Sequence, residues 1–202
     1  MKILFTCLIL LNAVCVNSQI LTKGFIIMPN KDTVYCSIVK LKNKKEDEKS
    51  NYKQIEIVDS LGAKRQLSPK DILGYRKGDV IYKSANFYGD DIFMKLLVEG
   101  SAMLYYYSSG PDDERYIFKR KLEKDYGVMN SDTSFDTLVG FNGGAQGSRT
   151  AAIIIVHREK AFISYFSEYF KDCSSVVNKI KSGFYTREDM TEIFKEYNAK
   201  MN

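Results

Sequence analysis

Side chains of the types that do chemistry in proteins are few in this chain of 202 residues, and they are far apart in the sequence. His157 is the only histidine, and it ends an apolar stretch immediately before Arg158 and Glu159. Catalysis by a histidine needs a nucleophile or a carboxylate brought beside it by folding. Nothing near His157 indicates such a partner, so the pattern favours a structural or surface histidine and predicts no catalytic residue.

Two polar stretches are similar to ligand-binding loops but do not meet their requirements. Residues 140–150, GFNGGAQGSRT, are rich in glycine, yet no Gly-Lys-Ser/Thr motif follows and the stretch leads into a predicted strand. Residues 130–136, NSDTSFD, alternate polar side chains as calcium loops do, but Phe135 stands where such a loop needs glycine. We therefore expect flexible loops here, and no cofactor or metal site.

Acidic residues are the remaining candidates for catalysis. Asp90 and Asp91 form one pair, and residues 112–114 form an acidic turn. Carboxylates in such positions more often form turns and caps than catalytic pairs. A hydrolase that acts on envelope or dietary polymers through acidic residues nevertheless stays open as an alternative.

Two cysteines, Cys36 and Cys173, lie outside the N-terminal apolar segment. Neither has a second cysteine or a histidine at the spacing of metal ligands. They can form one disulfide or remain as two buried thiols, and sequence does not separate these cases. Because Cys36 lies on the core-facing side of a predicted strand and Cys173 opens a predicted helix, we predict that they lie close enough to bridge.

Charge and aromatic residues do not point to nucleic acid. The formal net charge is +5, and much of the basic excess lies in residues 40–53, where acidic residues are interleaved. This stretch is interpreted as a solvated loop. The run Tyr105, Tyr106, Tyr107 could stack on a sugar or a peptide, but aromatic residues at strand spacing favour core packing.

The first residues have the order of a secretory signal peptide. Lys2 precedes an apolar run that is too short for the roughly 20 residues of a membrane span. Val16 and Ser18 suit the positions before a peptidase cut, so we predict a signal peptide at 1–18 and a mature chain from Gln19. Lipidation at Cys15 is disfavoured by the bulky residues before it. The predicted protein is therefore exported, to the periplasm or cell surface or into the medium, and is not an integral membrane protein.

The elements that must position any site are strands first and helices last. Residues 19–124 alternate apolar and polar side chains with turn residues between them, which predicts a β-rich region. Residues 125–149 are rich in Gly, Ser, Asn and Asp and are predicted to be an irregular loop, and residues 150–202 begin with an apolar strand pattern. The pattern predicts one globular α+β unit, a twisted antiparallel sheet or partly open barrel followed by three C-terminal α-helices packed on the sheet.

The clearest hairpin covers residues 91–109 and reverses at Glu99 and Gly100 or one residue later. One face is predicted to hold Ile92, Met94, Leu96 and Val98 together with Met103, Tyr105 and Tyr107. The other face holds Phe93, Leu97, Leu104 and Tyr106, and it must be covered too, since it is apolar. We expect the C-terminal helices to cover this second face, and an external partner is the alternative.

The helical region changes from a period of two to a period of 3.6 near residue 159. Phe162, Phe166 and their neighbours form one stripe. Asp172 is predicted to cap the second helix, which ends at Gly183. Thr186 and Asp189 have the spacing of a capping box for the third.

Three stretches together resemble a known family: GFIIMPNKDTVYCSIV, DIFMKLLVEGSAMLYYY and YFKDCSSVVNKIKSGFYTREDMTEIFKEYNA. They are similar to an uncharacterised exported protein family of Bacteroidota-type bacteria, with a GxI…DT strand pair, a VEGxxxLYYY hairpin and DC…YN C-terminal helices. The resemblance implies export and an α+β fold. It implies no activity.

These observations favour a non-catalytic binding or structural module of the cell envelope. The expected partner is a cell-envelope protein or polysaccharide, without nucleic acid and without a cofactor. The alternatives are the hydrolase named above and an accessory subunit that docks on an outer-membrane partner.

Overall fold

The computed structural model describes residues 20–41, 43–87, 89–110, 113–130, 135–140 and 152–201. These residues form twelve β-strands, four α-helices and one turn of 3-10 helix at Arg187–Asp189. The predicted signal peptide lies outside them. The strands are β1 (Ile20–Ile27), β2 (Thr33–Lys40), β3 (Ile55–Val58), β4 (Lys64–Leu67), β5 (Gly74–Lys77), β6 (Val80–Phe87), β7 (Asp90–Val98), β8 (Ala102–Gly110), β9 (Asp113–Arg120), β10 (Gly127–Asn130), β11 (Phe135–Gly140) and β12 (Ala152–His157). The helices are α1 (Lys44–Lys53), α2 (Arg158–Tyr169), α3 (Ser174–Lys181) and α4 (Met190–Met201).

The strands form a single sheet in the order β12-β11-β10-β9-β8-β7-β6-β5-β1-β2-β3-β4. Neighbouring strands are antiparallel throughout, for example β1 with both β2 and β5. The sheet is open, with β4 and β12 at its two edges. The prediction of an antiparallel sheet with helices at the C-terminal end is confirmed at this level.

Two segments differ from the prediction. Residues 40–53, predicted as a loop, contain α1, which is made mostly of good helix formers such as Lys and Glu. The sequence of this helix has no apolar stripe, and among its described side chains those of Asn51 and Tyr52 in the last turn are buried. Residues 125–149, predicted as irregular, contain β10 and β11. Both strands are too short and too interrupted by polar residues for a period of two to be recognised.

A β-bulge changes the predicted faces of the β7–β8 hairpin. Leu96 pairs with Tyr105, whereas Val98 pairs with Leu104, so Leu97 has no partner of its own. An extra residue reverses the side on which the following residues point. Val98 therefore shares a face with Leu104, and the prediction that placed it with Tyr105 is wrong.

The C-terminal helices cover the face that holds Leu104 and Phe118. Both side chains are fully buried in a cluster with residues of α2, α3 and α4. The Phe118 ring lies 5.1 Å from the Phe166 ring in α2 and 6.0 Å from the Phe194 ring in α4, measured between centroids. Gly127 lies opposite Phe118 in the register, and a Cβ at that position would collide with the ring.

The helix ends follow the sequence pattern in two of three cases. Thr186 and Asp189 form the predicted capping box. Gly183 has a φ of 74° just after α3, a conformation that glycine adopts without steric cost. Asp172 does not cap α3, because Cys173 occupies the cap position and makes no side-chain bond there. The carboxylate of Asp172 instead accepts hydrogen bonds from Arg120 and Tyr197.

The register places α1 on the same face as the C-terminal helices. Tyr75 pairs with Tyr82, Tyr82 with Lys95, and Lys95 with Tyr106, and direct antiparallel partners point the same way. Tyr75 contacts α1, whereas Leu104, two residues from Tyr106, lies under the C-terminal helices. One face of the sheet therefore carries the described helices, and we call the opposite face the helix-free face.

Candidate functional site

The pairing of β7 with β8 ends before either strand does. Partners run from Val98 and Leu104 to Lys95 and Tyr106, and no pair follows among the described residues. β7 nevertheless continues to Asp90, where it pairs with β6. β8 continues to Gly110, where it pairs with β9. The two strands thus leave a split in the sheet.

The last turn of α1 fills this split. The ring of Tyr52 lies 6.4 Å from the ring of Tyr106 and 5.3 Å from that of Tyr107, measured between centroids. Consecutive residues of a strand point to opposite faces. A ring that contacts both of them must therefore lie where the neighbouring strand is missing. Tyr52 is 5 % exposed, so the contact is part of the core.

Two bonds from β5 hold α1 in place. The hydroxyl of Tyr75 donates to the carbonyl oxygen of Asn51 at 2.6 Å, and Lys77 Nζ donates to Asn51 Oδ1 at 3.0 Å. Asn51 is itself buried. Because a buried polar group is costly without partners, these bonds specify the position of the last turn. Lys53 is thereby placed at the rim of the split.

A cleft of about 310 Å³ opens at this point. It is lined by Lys53, Phe87, Asp90, Ile92, Tyr107, Ser109 and Arg115. Phe87 pairs with Asp90, and Tyr107 pairs with Arg115. With Ile92 these four side chains belong to the helix-free face, while Lys53 comes from α1. The cleft therefore passes into the sheet from the helix-free face and ends against α1.

The described lining combines apolar side chains with two cationic groups and one anionic group. Lys53 and Arg115 are cationic, Asp90 is the single carboxylate, and neither Lys53 nor Asp90 takes part in an ion pair among the described residues. Phe87 and Ile92 provide an apolar wall. This combination suits a small ligand with an anionic group and an apolar part.

Where a carboxyl pKa shift is resolved in the described residues, its direction is downward. Next to the cleft, donation by Asn86 lowers the pKa of Asp91, and an ion pair with Lys70 adds to this effect. Hydrogen bonds from Ser68 lower the pKa of Asp71 in the same way. A general acid of a glycosidase needs a raised pKa. None of the carboxyl pKa shifts resolved in the described residues is of this raised kind.

The helix-free face also carries an aromatic pair, of which one ring is exposed. Phe25 and Tyr35 are cross-strand partners on β1 and β2, with ring centroids 6.0 Å apart in an edge-to-face arrangement. Tyr35 is 78 % exposed, and Leu21, on the same face of β1, is 49 % exposed. Arg76 on β5 pairs with Phe25, and the register from β5 through β7 places these residues on the same face as the cleft.

The side of the hairpin predicted to need a cover is covered within the chain. Phe93 and Leu104 are fully buried, Phe93 against Tyr75 and Leu104 under the C-terminal helices. Leu97 packs on the helix cluster, and Tyr106 is half-buried next to α1. These four residues do not form an open partner face.

The two cysteines are free thiols in the structure. Cys173 is buried in the cluster of the C-terminal helices, whereas Cys36 packs against the other cluster, which includes α1. Burial raises the pKa of the Cys36 thiol. The predicted bridge is not formed: Cys173 is buried in one cluster, and the half-buried Cys36 packs against the other.

Other predicted features fall partly outside the described residues. Residues 131–134 of the calcium-like stretch and residues 141–150 of the glycine-rich stretch lie outside them, as does the side chain of His157. Among the described residues no three His, Cys, Asp or Glu side chains converge as metal ligands do. No helix in the same residues has the length and apolar character needed to cross a membrane.

Comparison of the chain with protein-family models, with curated proteins and with solved structures gives no match. The resemblance to an exported family therefore stays a prediction. What the chain does has to be argued from its geometry.

Sequence reasoning missed the cleft. It interpreted Asp90 as a turn or cap residue, Tyr107 as core and Lys53 as part of a solvated loop, and it did not consider Arg115. No sequence signal identifies them together, because the cleft depends on where the pairing of β7 and β8 stops.

Proposed function

We propose that the protein is a non-catalytic binding module of the cell envelope, exported by its N-terminal segment, and that the cleft between β7 and β8 is its ligand site. The observation that supports this most is the split itself. It leaves a space in the sheet and brings two cations and an apolar wall to it. The ligand is a small polar molecule with an anionic group, of the kind that acidic sugars and peptide ends of envelope polymers provide.

The hydrolase alternative has less support. Among the described residues the cleft has one carboxylate, Asp90, whereas acid and base catalysis of glycoside hydrolysis uses two. The resolved carboxyl shifts elsewhere favour the charged form, as for Asp91. Binding without turnover fits this arrangement better.

The accessory-subunit alternative is favoured by the exposed pair on β1 and β2. Tyr35 and Leu21 present apolar surface to solvent next to Phe25, and aromatic residues are enriched in protein interfaces. If this surface binds an outer-membrane partner, the wild-type chain will capture one defined envelope protein, and the Tyr35→Ser variant will not capture it. Leu122→Ser, at a residue that is 95 % exposed elsewhere, is the matched control.

The ligand proposal is tested by titrating the exported, isotope-labelled protein with two probes, glucuronate and an N-acetylated tripeptide with a free carboxylate. Binding of at least one probe should shift the amide signals of cleft residues such as Ile92 and Tyr107. Arg115→Gln should weaken that binding about tenfold, the effect of removing one charge-assisted contact. Lys119→Gln on the same strand should leave it unchanged. If neither probe shifts a cleft signal, the proposal is wrong.

Export is tested separately by intact-mass analysis of the protein recovered from the envelope fraction. The expected mass is that of a chain beginning at Gln19. Retention of residues 1–18, or a lipid adduct on Cys15, would contradict the predicted processing.

A further inference from the structure

The first two strands carry an unusual share of the exposed apolar side chains. Ten large apolar side chains are exposed among the described residues, and five of them belong to β1, to β2 or to the residue that follows β2. These five are Ile20, Leu21, Val34, Tyr35 and Leu41. Exposed apolar side chains that lie together mark a surface that binds a protein or a membrane.

We infer that the helix-free face of β1 and β2 binds to a membrane surface that contains anionic phospholipids. The contact is made by the side chains of Leu21, Lys23, Phe25 and Tyr35, which we call the β1–β2 surface. The protein lies on the membrane through this surface and does not cross it. This inference goes beyond the proposed function, because it uses none of the residues that line the cleft.

The first argument concerns the position of these side chains. Leu21, Lys23 and Phe25 alternate along β1 and therefore point to the same side of the sheet. Tyr35 is the cross-strand partner of Phe25, so it shares this side. Leu21, Lys23 and Tyr35 are exposed, whereas Ile26, which points to the helix-bearing side, is 2 % exposed. The β1–β2 surface is therefore accessible to a partner in the described structure.

The second argument concerns charge. Lys23, Lys31 and Lys40 are exposed, and none of them forms an ion pair among the described residues. Asp32 is the single acidic residue between positions 20 and 41, and its carboxylate accepts a hydrogen bond from Asn30 Nδ2 at 2.7 Å. The two strands and their turn thus have a net positive charge. Each lysine near an anionic membrane surface adds to the binding free energy.

The neighbouring strands do not cancel this charge. Their acidic residues have cationic partners of their own, in the pairs Glu56–Lys64, Asp59–Arg65 and Asp79–Arg76. The lysines of β1, β2 and their turn therefore set the sign of the local charge, and this sign is complementary to an anionic lipid surface.

The third argument concerns the types of side chain, which favour a lipid surface over a protein partner. Protein interfaces are depleted in lysine and enriched in arginine. A surface that binds lipid combines apolar side chains with lysines, whose apolar stems enter the boundary of the bilayer while the ammonium groups stay in water. Tyrosine suits the same boundary, because its ring is apolar and its hydroxyl is polar. The combination of Leu21, Lys23 and Tyr35 therefore fits a membrane surface better than a protein interface.

The test is flotation of the exported chain that begins at Gln19 with two kinds of vesicle. One kind contains equal parts of phosphatidylglycerol and phosphatidylcholine, and the other contains phosphatidylcholine alone. The chain should float with the anionic vesicles only, and salt should weaken this binding because it screens the lysines. Leu21→Ser and Lys23→Gln should each weaken binding about fivefold. Leu122→Ser and Lys195→Gln, at exposed residues outside the β1–β2 surface, are the matched controls and should leave binding unchanged.

Lys23→Arg keeps the positive charge and should bind the anionic vesicles as the wild-type chain does, which separates loss of charge from loss of fold. The inference is wrong if the chain floats with neither kind of vesicle or equally with both. Binding that the control variants weaken as much as Leu21→Ser does overturns it too, since the contact would then lie elsewhere. If the wild-type chain does not float but captures an envelope protein that Tyr35→Ser loses, the surface is a protein interface. None of these outcomes affects the proposal for the cleft, which is tested with other probes.

Discussion

The face of the sheet that carries the helices has two halves, and helices cover them in different ways. In the C-terminal half, three helices bring apolar stripes to β8 and β9, and sixteen buried residues form one cluster. In the other half a single helix of ten residues, α1, contributes Asn51 and Tyr52 from its last turn. The described residues of the first half form one buried cluster, whereas in the second half β7 and β8 pair with each other over only part of their length. A covering helix without an apolar stripe thus leaves space at the sheet, and the candidate site lies there.

The charged residues at the borders of the two halves also differ, in whether they form ion pairs. Around the C-terminal helices, the Arg120 guanidinium donates to both Asp172 oxygens and lies over the rings of Tyr169 and Tyr197. Lys179 donates to Glu196 at 2.7 Å in a second cluster. At the cleft, Lys53 and Asp90 have no such fixed ion pair among the described residues. The first set of charges holds the helices, whereas Lys53 and Asp90 line the cleft.

The largest expected effect tests the packed half. Phe118→Ala should reduce the free energy of unfolding by roughly 3 to 5 kcal/mol, because it removes a fully buried ring from among several helix residues. Total stabilities of about 5 to 15 kcal/mol make this a severe loss. Urea unfolding followed by circular dichroism measures it. Phe184→Ala, at a ring that is 68 % exposed, is the control and should change little. Equal losses for the two variants would contradict the described core.

The second prediction tests the split. Tyr52→Ala should cost about 2 kcal/mol, less than Phe118→Ala, because water can enter the vacated space from the cleft. Hydrogen exchange should become faster in residues 91–94 and 107–110 and stay unchanged in α2 and α4. The control is Tyr35→Ala, at an exposed tyrosine. Faster exchange throughout the C-terminal helices would mean that the two halves unfold together, and the contrast between them would be lost.

These two regions also show what the sequence could predict. The C-terminal helices were predicted because their stripes, such as Phe162 and Phe166, repeat at 3.6 residues and their ends have recognisable residues such as Thr186 and Gly183. α1 has no such stripe, since one buried turn cannot establish a period. The bulge at Leu97 and the end of pairing at Lys95 depend on what packs against the hairpin from distant parts of the chain. The cleft follows from these long-range contacts, so local patterns could not locate it.

A smaller effect is expected where α4 joins the hairpin turn. Asn198 Oδ1 accepts from the Ala102 backbone N–H at 2.8 Å, and its Nδ2 donates to the Ala102 carbonyl oxygen at 2.8 Å. Asn198→Ala would leave both buried backbone groups without these partners and should cost about 1 to 2 kcal/mol, measured as a shift of the urea midpoint. Asn178→Ala, at an exposed position in α3, is the matched control. Gly100→Ala should act in the same direction as Asn198→Ala, because a Cβ there would lie 2.5 Å from the Asn198 amide.

The smallest expected effect is on the stability of the fold at acidic pH, and it concerns Asp172 next to the C-terminal helices. Burial alone would raise the pKa of Asp172, but donation by Arg120 and Tyr197 holds it below its usual range. A carboxyl whose pKa is lower in the folded state stabilises the fold above its unfolded value of about 3.9, and this contribution is lost as the pH falls through the folded-state pKa. The Asp172 side chain is 35 % exposed, so solvent screening limits the contribution to about 1 kcal/mol or less.

Asp172→Asn tests this contribution, because the amide keeps the shape of the side chain but cannot titrate. The unfolding free energies of the wild-type chain and this variant should differ most at neutral pH. They should begin to converge below about pH 4 and come closest only below the lowered folded-state pKa of Asp172, where the wild-type carboxyl is protonated too. Asp90→Asn at the cleft is the comparison, since no fixed ion pair holds that carboxylate among the described residues, and its stability should follow the wild type at every pH. Should Asp90→Asn reproduce the pH dependence of Asp172→Asn, the charges of the cleft would be structural as well, and the contrast between a rim that holds helices and a cleft that holds ligand would fail.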